Sequence, residues 1–154
     1  MELMIIFGAQ YAIYLQGALL ILAFLVSARR RGWLRDLMSF GVGIMALAIL
    51  VTIATSLHYE PRPYVVYGTL EPVIQVEDGN AFPSDHAALA GFLGCFTLGR
   101  SSRIGCFSVG IAALVGVGRV AAHVHSFLDV GVGILIGLLC GLIVFARRCA
   151  DLKA

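Results

Sequence analysis

Long apolar runs, more than any motif, limit what this chain can fold into. They fall at about 4 to 26, 37 to 57, 86 to 99, 104 to 122 and 127 to 146, and a helix crossing the roughly 30 Å core of a bilayer takes about 20 apolar residues. The pattern predicts an all-α integral membrane protein, a bundle of about five transmembrane helices, with residues 1–154 forming a single membrane-embedded domain. Composition agrees, because 13% of the residues are charged against roughly 25% in a soluble domain. The 14 residues of the 86 to 99 run rise only about 21 Å, so this helix is expected to start below the membrane surface. Glu2 stands where a cleavable signal would carry basic residues, so the first run is expected to be a span, its first ten residues lying along the interface.

A net charge of +2 with scattered arginines makes no basic stripe, which excludes nucleic acid as a partner. Cys95, Cys106, Cys140 and Cys149 form no CxxC pair, and packing is their expected role. Of eleven basic residues, nine (Arg29, Arg30, Arg31, Arg35, Arg100, Arg103, Arg147, Arg148 and Lys153) fall where five alternating spans put them on one side, the cytoplasm by the positive-inside rule. Arg62 and Arg119 fall on or near the outer face, where topology gives them no reason to be. No feature fixes an oligomeric state.

The outer segment, about residues 58–85, contains all four prolines, three of the five tyrosines and five of the nine acids. Pro61 and Pro63 predict an extended, stiff mount for Arg62; the same step also serves to end a helix and let the arginine snorkel to headgroups. The segment ends in Phe82-Pro83-Ser84-Asp85-His86, followed at once by AALAGFLGCF. Serine or aspartate before an apolar run is a helix N-cap signal, and a helix start offers N–H groups to an anion. Ser84 or Asp85 as a cap alone, with His86 an interfacial histidine, fits the motif equally.

A third cluster, Gly118 to Asp129, joins the fourth and fifth spans. Ser126 and Asp129 have the spacing of a capping box. Asp129 also lies four residues after His125, so a helix beginning a turn early would set its carboxylate against that imidazole and fix its tautomer. His123 is expected to face elsewhere. Two arginines, a serine at a helix start, two histidines and an aspartate on one face are equipment for phosphoryl transfer: arginines hold phosphate oxygens, one histidine attacks phosphorus and another protonates the leaving oxygen.

These residues resemble the three ordered motifs of the type 2 phosphatidic acid phosphatases, which share their active site with vanadium haloperoxidases. Arg62-Pro63 is similar to the end of the first motif, Pro83-Ser84-Asp85-His86 to the second, and Arg119, His125 and Asp129 to the third with its spacing intact. The form of the first two motifs, with Met4 to Tyr11, looks most like bacterial undecaprenyl-diphosphate phosphatases. The resemblance implies His125 as nucleophile forming a phosphohistidine, His86 as acid, Asp129 orienting His125, and Arg62, Ser84, Asp85 and Arg119 around the phosphate. It also implies no metal and no cofactor. The implied partner is a lipid with a terminal phosphate or diphosphate, at the outer face of a bacterial inner membrane, in recycling of the cell-wall lipid carrier.

Three positions depart from the motifs. Thr55 stands where the first has lysine, Asp85 replaces a glycine, and Gly118 replaces the serine before Arg119. His58 is a candidate to compensate for the lysine. The alternatives are a phosphatase for phosphatidic acid or phosphatidylglycerol phosphate, and a non-catalytic lipid-phosphate binder or transporter. A metal site of His58, His86, His125 and Asp129 is opposed by the two nearby arginines.

Overall fold

The computed structural model describes residues 1–26, 32–68 and 71–151, the side chains of 146–151 excepted. Arg29, Arg30, Arg31, Lys153 and the side chains of Arg147, Arg148 and Cys149, all placed above by sequence, lie outside the described residues. The first run is one helical path: α1 (Glu2–Ile6), a π-helical turn (Phe7–Tyr11) and α2 (Ala12–Val26). Then follow α3 (Trp33–Leu57), the short α4 (Pro63–Tyr67), α5 (Asp85–Arg100), α6 (Ser102–Ala121) and α7 (Phe127–Asp151). The chain is an all-helical membrane bundle, and among the described residues its one β-type pairing is an isolated bridge of Pro61 with Asn80.

Four segments are long and apolar enough to cross a membrane: Glu2–Val26, Trp33–Leu57, Ser102–Ala121 and Phe127–Phe145. The fifth long helix, α5, has 16 residues and is buried along most of its length. It packs chiefly on α7 and α6, with α2 and α3 completing its surroundings. That burial explains its shortness: enclosed by other helices, it has no lipid thickness of its own to match. In lipid, helices associate through close packing and hydrogen bonds because hydrocarbon offers no hydrophobic contrast. A Cβ on Gly133 of α7 would lie 2.6 Å from the Ser84 carbonyl, and one on Gly137 would strike the Ala88 carbonyl, so only glycine allows α7 this close to α5. Gln16 adds a polar tie, its Nε2 donating to the Ala90 and Ser108 carbonyls at 2.9 Å each.

One sequence expectation is corrected. The first ten residues do not lie apart along an interface, since Gly8 and Ala9 are buried against α6. Arg100 ends α5, is 3% exposed, pairs with Asp36 and sits 3.8 Å over the Phe24 ring. The Asp36 carboxylate offsets the cost of burying that guanidinium. Cys95 and Cys140 are buried as expected of packing residues, whereas Cys106 is exposed.

The proline-rich segment between α3 and α5 is anchored by apolar residues inside its polar sequence. Ile74 is buried with Ala9, Ala122 and Val124, and Val73 and Val76 pack on the same cluster. The Val73 N–H donates to the Ala122 carbonyl at 3.2 Å. The segment thus bridges the π-helical turn and the α6–α7 junction, at the end of the bundle where α5 begins.

Candidate active site

The three motifs are joined by one backbone hydrogen bond and one side chain. The Ser84 N–H donates to the Asp129 carbonyl at 3.1 Å, tying the start of α5 to the start of α7, and the Arg62 side chain ties the segment before α4 to both neighbours. Arg62 has the extended backbone its prolines predict, with Pro63 opening α4. Its Nε donates to the Glu77 carbonyl at 3.0 Å and its Nη1 to the Val124 carbonyl at 3.1 Å. Snorkelling to headgroups is not its conformation. Beside it the Tyr64 hydroxyl donates to the Asp78 carboxylate at 2.6 Å, and this bond holds the phenol above its ordinary pKa.

A cleft of about 320 Å³ opens among these elements, lined by Arg62, Asp85, His86, Arg119 and His125 together with Thr55, Val76, Glu77, Asn80, Phe82 and Pro83. Five of the seven residues singled out by sequence therefore share one cavity. The other two, Ser84 and Asp129, are fully buried behind its wall. Ser84 is the N-cap residue of α5 by position but makes no side-chain cap bond; its Oγ is buried without a partner. Asp85 is the first residue of the helix, exposed, and brings a negative charge to the rim.

His125 is 5% exposed and its two ring nitrogens are distinguished by what they meet. Nδ1 lies 2.9 Å from the Ala81 carbonyl, an acceptor only, so Nδ1 carries the hydrogen. Nε2 lies 3.1 Å from Arg119 Nη2, a donor only, so Nε2 presents its lone pair. The imidazole is thereby fixed in one tautomer, with Nδ1 protonated and Nε2 bare. Arg119 is itself 4% exposed, its Nη1 donating to the Ala9 carbonyl at 3.3 Å and its Nε buried without a partner. The π-helical turn that carries Ala9 reaches Arg119 because Gly118 has no side chain: a Cβ there would lie 2.5 Å from Gly8 C and Ala9 N. This is a physical reason for glycine at 118.

Asp129 serves two neighbours at once. Its Oδ2 accepts the Ser126 N–H at 2.7 Å while Ser126 Oγ accepts the Asp129 N–H at 3.1 Å, a reciprocal capping box. The same Oδ2 is 3.6 Å from His125 Nδ1, farther than the Ala81 carbonyl. Helix α7 begins after His125, not a turn before it, so the imidazole meets the carboxylate from the preceding turn. His123 faces away as expected, its Nδ1 3.2 Å from the Glu71 carbonyl. His58 pairs with Glu60 at 3.4 Å and sets its ring edge on Phe82 at 4.8 Å, outside the cleft lining, whereas Thr55 is on it.

Sequence reading missed Asn80, Glu77 and Ala81. The only signal was Asp78-Gly79-Asn80, a turn pattern in which Gly79 has a φ of 153°. Among the described residues no group of three His, Cys, Asp or Glu side chains is arranged to hold a metal ion.

Fold and cleft define a multi-pass membrane protein with a cavity lined by two arginines and two histidines at one end of its bundle. Residues 36–150 match the PAP2 superfamily, and the chain belongs to it. The bacitracin transport permease protein BcrC of Bacillus licheniformis is 32% identical over 104 residues, 68% of this chain and 51% of that protein, so the aligned part spans about half of that relative. Undecaprenyl-diphosphatase BcrC of Bacillus subtilis (strain 168) is 29% identical over 152 residues, 99% of this chain and 76% of that protein. Among solved structures, Aquifex aeolicus LpxE aligns with a TM-score of 0.73 at 27% identity, over 94% of this chain and 86% of its own. The transmembrane PAP2-type phosphatidylglycerolphosphate phosphatase of Bacillus subtilis shares the fold, with a TM-score of 0.63 at 22% identity, over 97% of this chain and 74% of its own.

Proposed function

We propose that the protein is a lipid phosphatase that hydrolyses undecaprenyl diphosphate to undecaprenyl phosphate and inorganic phosphate, recycling the cell-wall lipid carrier. The observation that carries this reading is His125, held with its Nε2 lone pair beside Arg119 in a cleft that also holds Arg62 and His86. Nε2 attacks the terminal phosphorus, the bond from phosphorus to the bridging oxygen breaks, and His86 gives its proton to that oxygen. Water then attacks the phosphohistidine, losing its proton to His86, and the P–N bond breaks to release phosphate. Arg62, Arg119 and the first N–H groups of α5, at Asp85 and beyond, hold the phosphoryl oxygens, with Ser84 behind them. Asp129 stabilises the imidazolium. No cofactor takes part.

In this reading residues 1–154 act as one phosphatase domain in a bacterial inner membrane, the cleft facing the periplasm or cell exterior. Relatedness to the undecaprenyl-diphosphatase BcrC supports the diphosphate lipid. A phosphatase for phosphatidic acid or phosphatidylglycerol phosphate is the second reading, and it differs only in lipid choice. Purified protein with EDTA present, offered the three lipids side by side, is expected to release phosphate fastest from the diphosphate. Acid-labile, base-stable phosphate should be trapped on the wild type and absent from His125→Asn. Release from no lipid leaves a lipid-phosphate binder; trapping on the His125 variant removes His125 as nucleophile. In intact cells lacking the native cysteines, Gln75→Cys should react with an impermeant maleimide and Ser102→Cys should not. The reverse pattern puts the cleft in the cytoplasm.

A further inference from the structure

We infer that Asn80 is a positioning residue for His125, acting through the peptide that joins Ala81 to Phe82. The inference rests on the reading of His125 as the nucleophile. The carbonyl of that peptide is the Ala81 oxygen that accepts His125 Nδ1–H at 2.9 Å. Its N–H belongs to Phe82 and donates to Asn80 Oδ1 at 3.0 Å. Asn80 therefore grips one end of a single rigid plane whose other end grips the imidazole.

Every hydrogen-bonding position of the Asn80 amide is in use. Oδ1 also accepts the Glu60 N–H at 2.9 Å, and Nδ2 donates to the Thr55 carbonyl at 3.0 Å and the His58 carbonyl at 2.7 Å. Two lone pairs and two hydrogens exhaust what this side chain offers. The Thr55 carbonyl is one of those a helix end leaves without an intrahelical partner, so Asn80 is fastened to the end of α3 as well as to the strand-like pair. The Ala81 N–H donates to the Glu60 carbonyl at 2.8 Å, which fixes the preceding peptide too. Donation of Phe82 N–H polarises the Ala81 carbonyl and makes it a better acceptor. With Asp129 at 3.6 Å from Nδ1, this carbonyl is the group that selects the Nδ1–H tautomer. Asparagine is the side chain that can accept twice and donate twice from one planar group at this length.

The test reads the tautomer as well as turnover. In ¹⁵N-histidine spectra of the detergent-solubilised protein, the signals lost in His125→Asn belong to His125; the wild type is expected to show Nδ1 protonated and Nε2 bare. Asn80→Ala is expected to give a mixture of tautomers and to lower kcat on undecaprenyl diphosphate by about tenfold, with KM within about threefold. Asn80→Asp keeps the acceptor for the Phe82 and Glu60 N–H groups. It should retain the Nδ1–H tautomer and return kcat to within about threefold of wild type, while its charge on the cleft wall raises KM. An unchanged kcat in Asn80→Ala, or a fall with the tautomer unaltered, overturns the inference. If Asn80→Ala does not fold, Asn80→Asp decides: a tautomer mixture or a tenfold loss of kcat at saturating lipid overturns it. Phosphate release by His125→Asn sinks the nucleophile assignment instead, and the tautomer still reports on Asn80.

Discussion

Arg100 and Arg119 are both buried arginines in the last turn of a helix, 3% and 4% exposed, and they lie toward opposite ends of the bundle. Arg100 meets the Asp36 carboxylate and the face of Phe24. Arg119 meets a carbonyl and an imidazole nitrogen, with Nε unpartnered, and has no carboxylate in ion-pair distance among the described residues. A buried cation matched by a carboxylate holds structure together. One matched by neutral acceptors keeps its charge for an anion that is not part of the chain. The same residue type thus reads as scaffold at one end and as binding group at the other.

The largest effect expected follows from removing the second kind. Arg119→Ala forfeits two charge-assisted bonds to phosphate, about 1.5 to 3 kcal/mol each, so phosphate release per folded molecule should fall by about 100-fold or more. Thermal unfolding in detergent should move little. Asp36→Ala inverts the pattern: it removes the carboxylate paired with Arg100, which costs about 3 to 5 kcal/mol of stability, while kcat per folded molecule stays near wild type. A stable, inactive Asp36→Ala beside a destabilised Arg119→Ala with wild-type kcat per folded molecule would reverse the assignment of the two arginines.

A finer break aims at how Arg119 is held. Gly118→Ser restores the family's usual residue, yet here its Cβ would fall on the backbone of Gly8 and Ala9. Overpacking of this kind costs about 1 to 3 kcal/mol. The π-helical turn should shift and the bond from Arg119 to the Ala9 carbonyl weaken. Activity should drop by about tenfold, less than in Arg119→Ala. A gain in activity on restoring serine would mean that the N-terminal helix does not support Arg119.

The apolar runs were legible because bilayer thickness imposes a length that sequence displays directly, and Trp33–Leu57 and Phe127–Asp151 match runs read as 37 to 57 and 127 to 146. The convergence of Arg62, His86, Arg119 and His125 was legible because each follows a proline, a helix start or a fixed helical spacing. What escaped depended on contacts between distant segments. Nothing near Arg100 announces Asp36, 64 positions away. Nothing in sequence singles out Asn80 beyond a turn pattern, since its partners Thr55, His58 and Glu60 lie 20 or more positions away. Asp129 was readable as a cap or as an imidazole partner, and only the three-dimensional arrangement allows one carboxylate to be both.

The smallest effect expected concerns the missing lysine. Thr55 is exposed at the end of α3 and lines the cleft, while His58 is turned to Glu60 and Phe82. An ammonium introduced at 55 therefore enters the cleft, and an imidazole at 58 does not. Thr55→Lys should lower KM by about tenfold, the worth of one charge-assisted bond at about 1.5 kcal/mol. His58→Ala should leave kinetics within about twofold. The side chain must also coexist with Asn80 Nδ2, which already holds the Thr55 carbonyl, so the gain depends on the new chain leaving that bond intact. Loss of activity in His58→Ala with none gained in Thr55→Lys would mean that the loop moves to bring His58 inward. No change in either would separate the first motif from the phosphate and leave Arg62, tied to the Glu77 and Val124 carbonyls, as a structural clamp of the Arg100 kind.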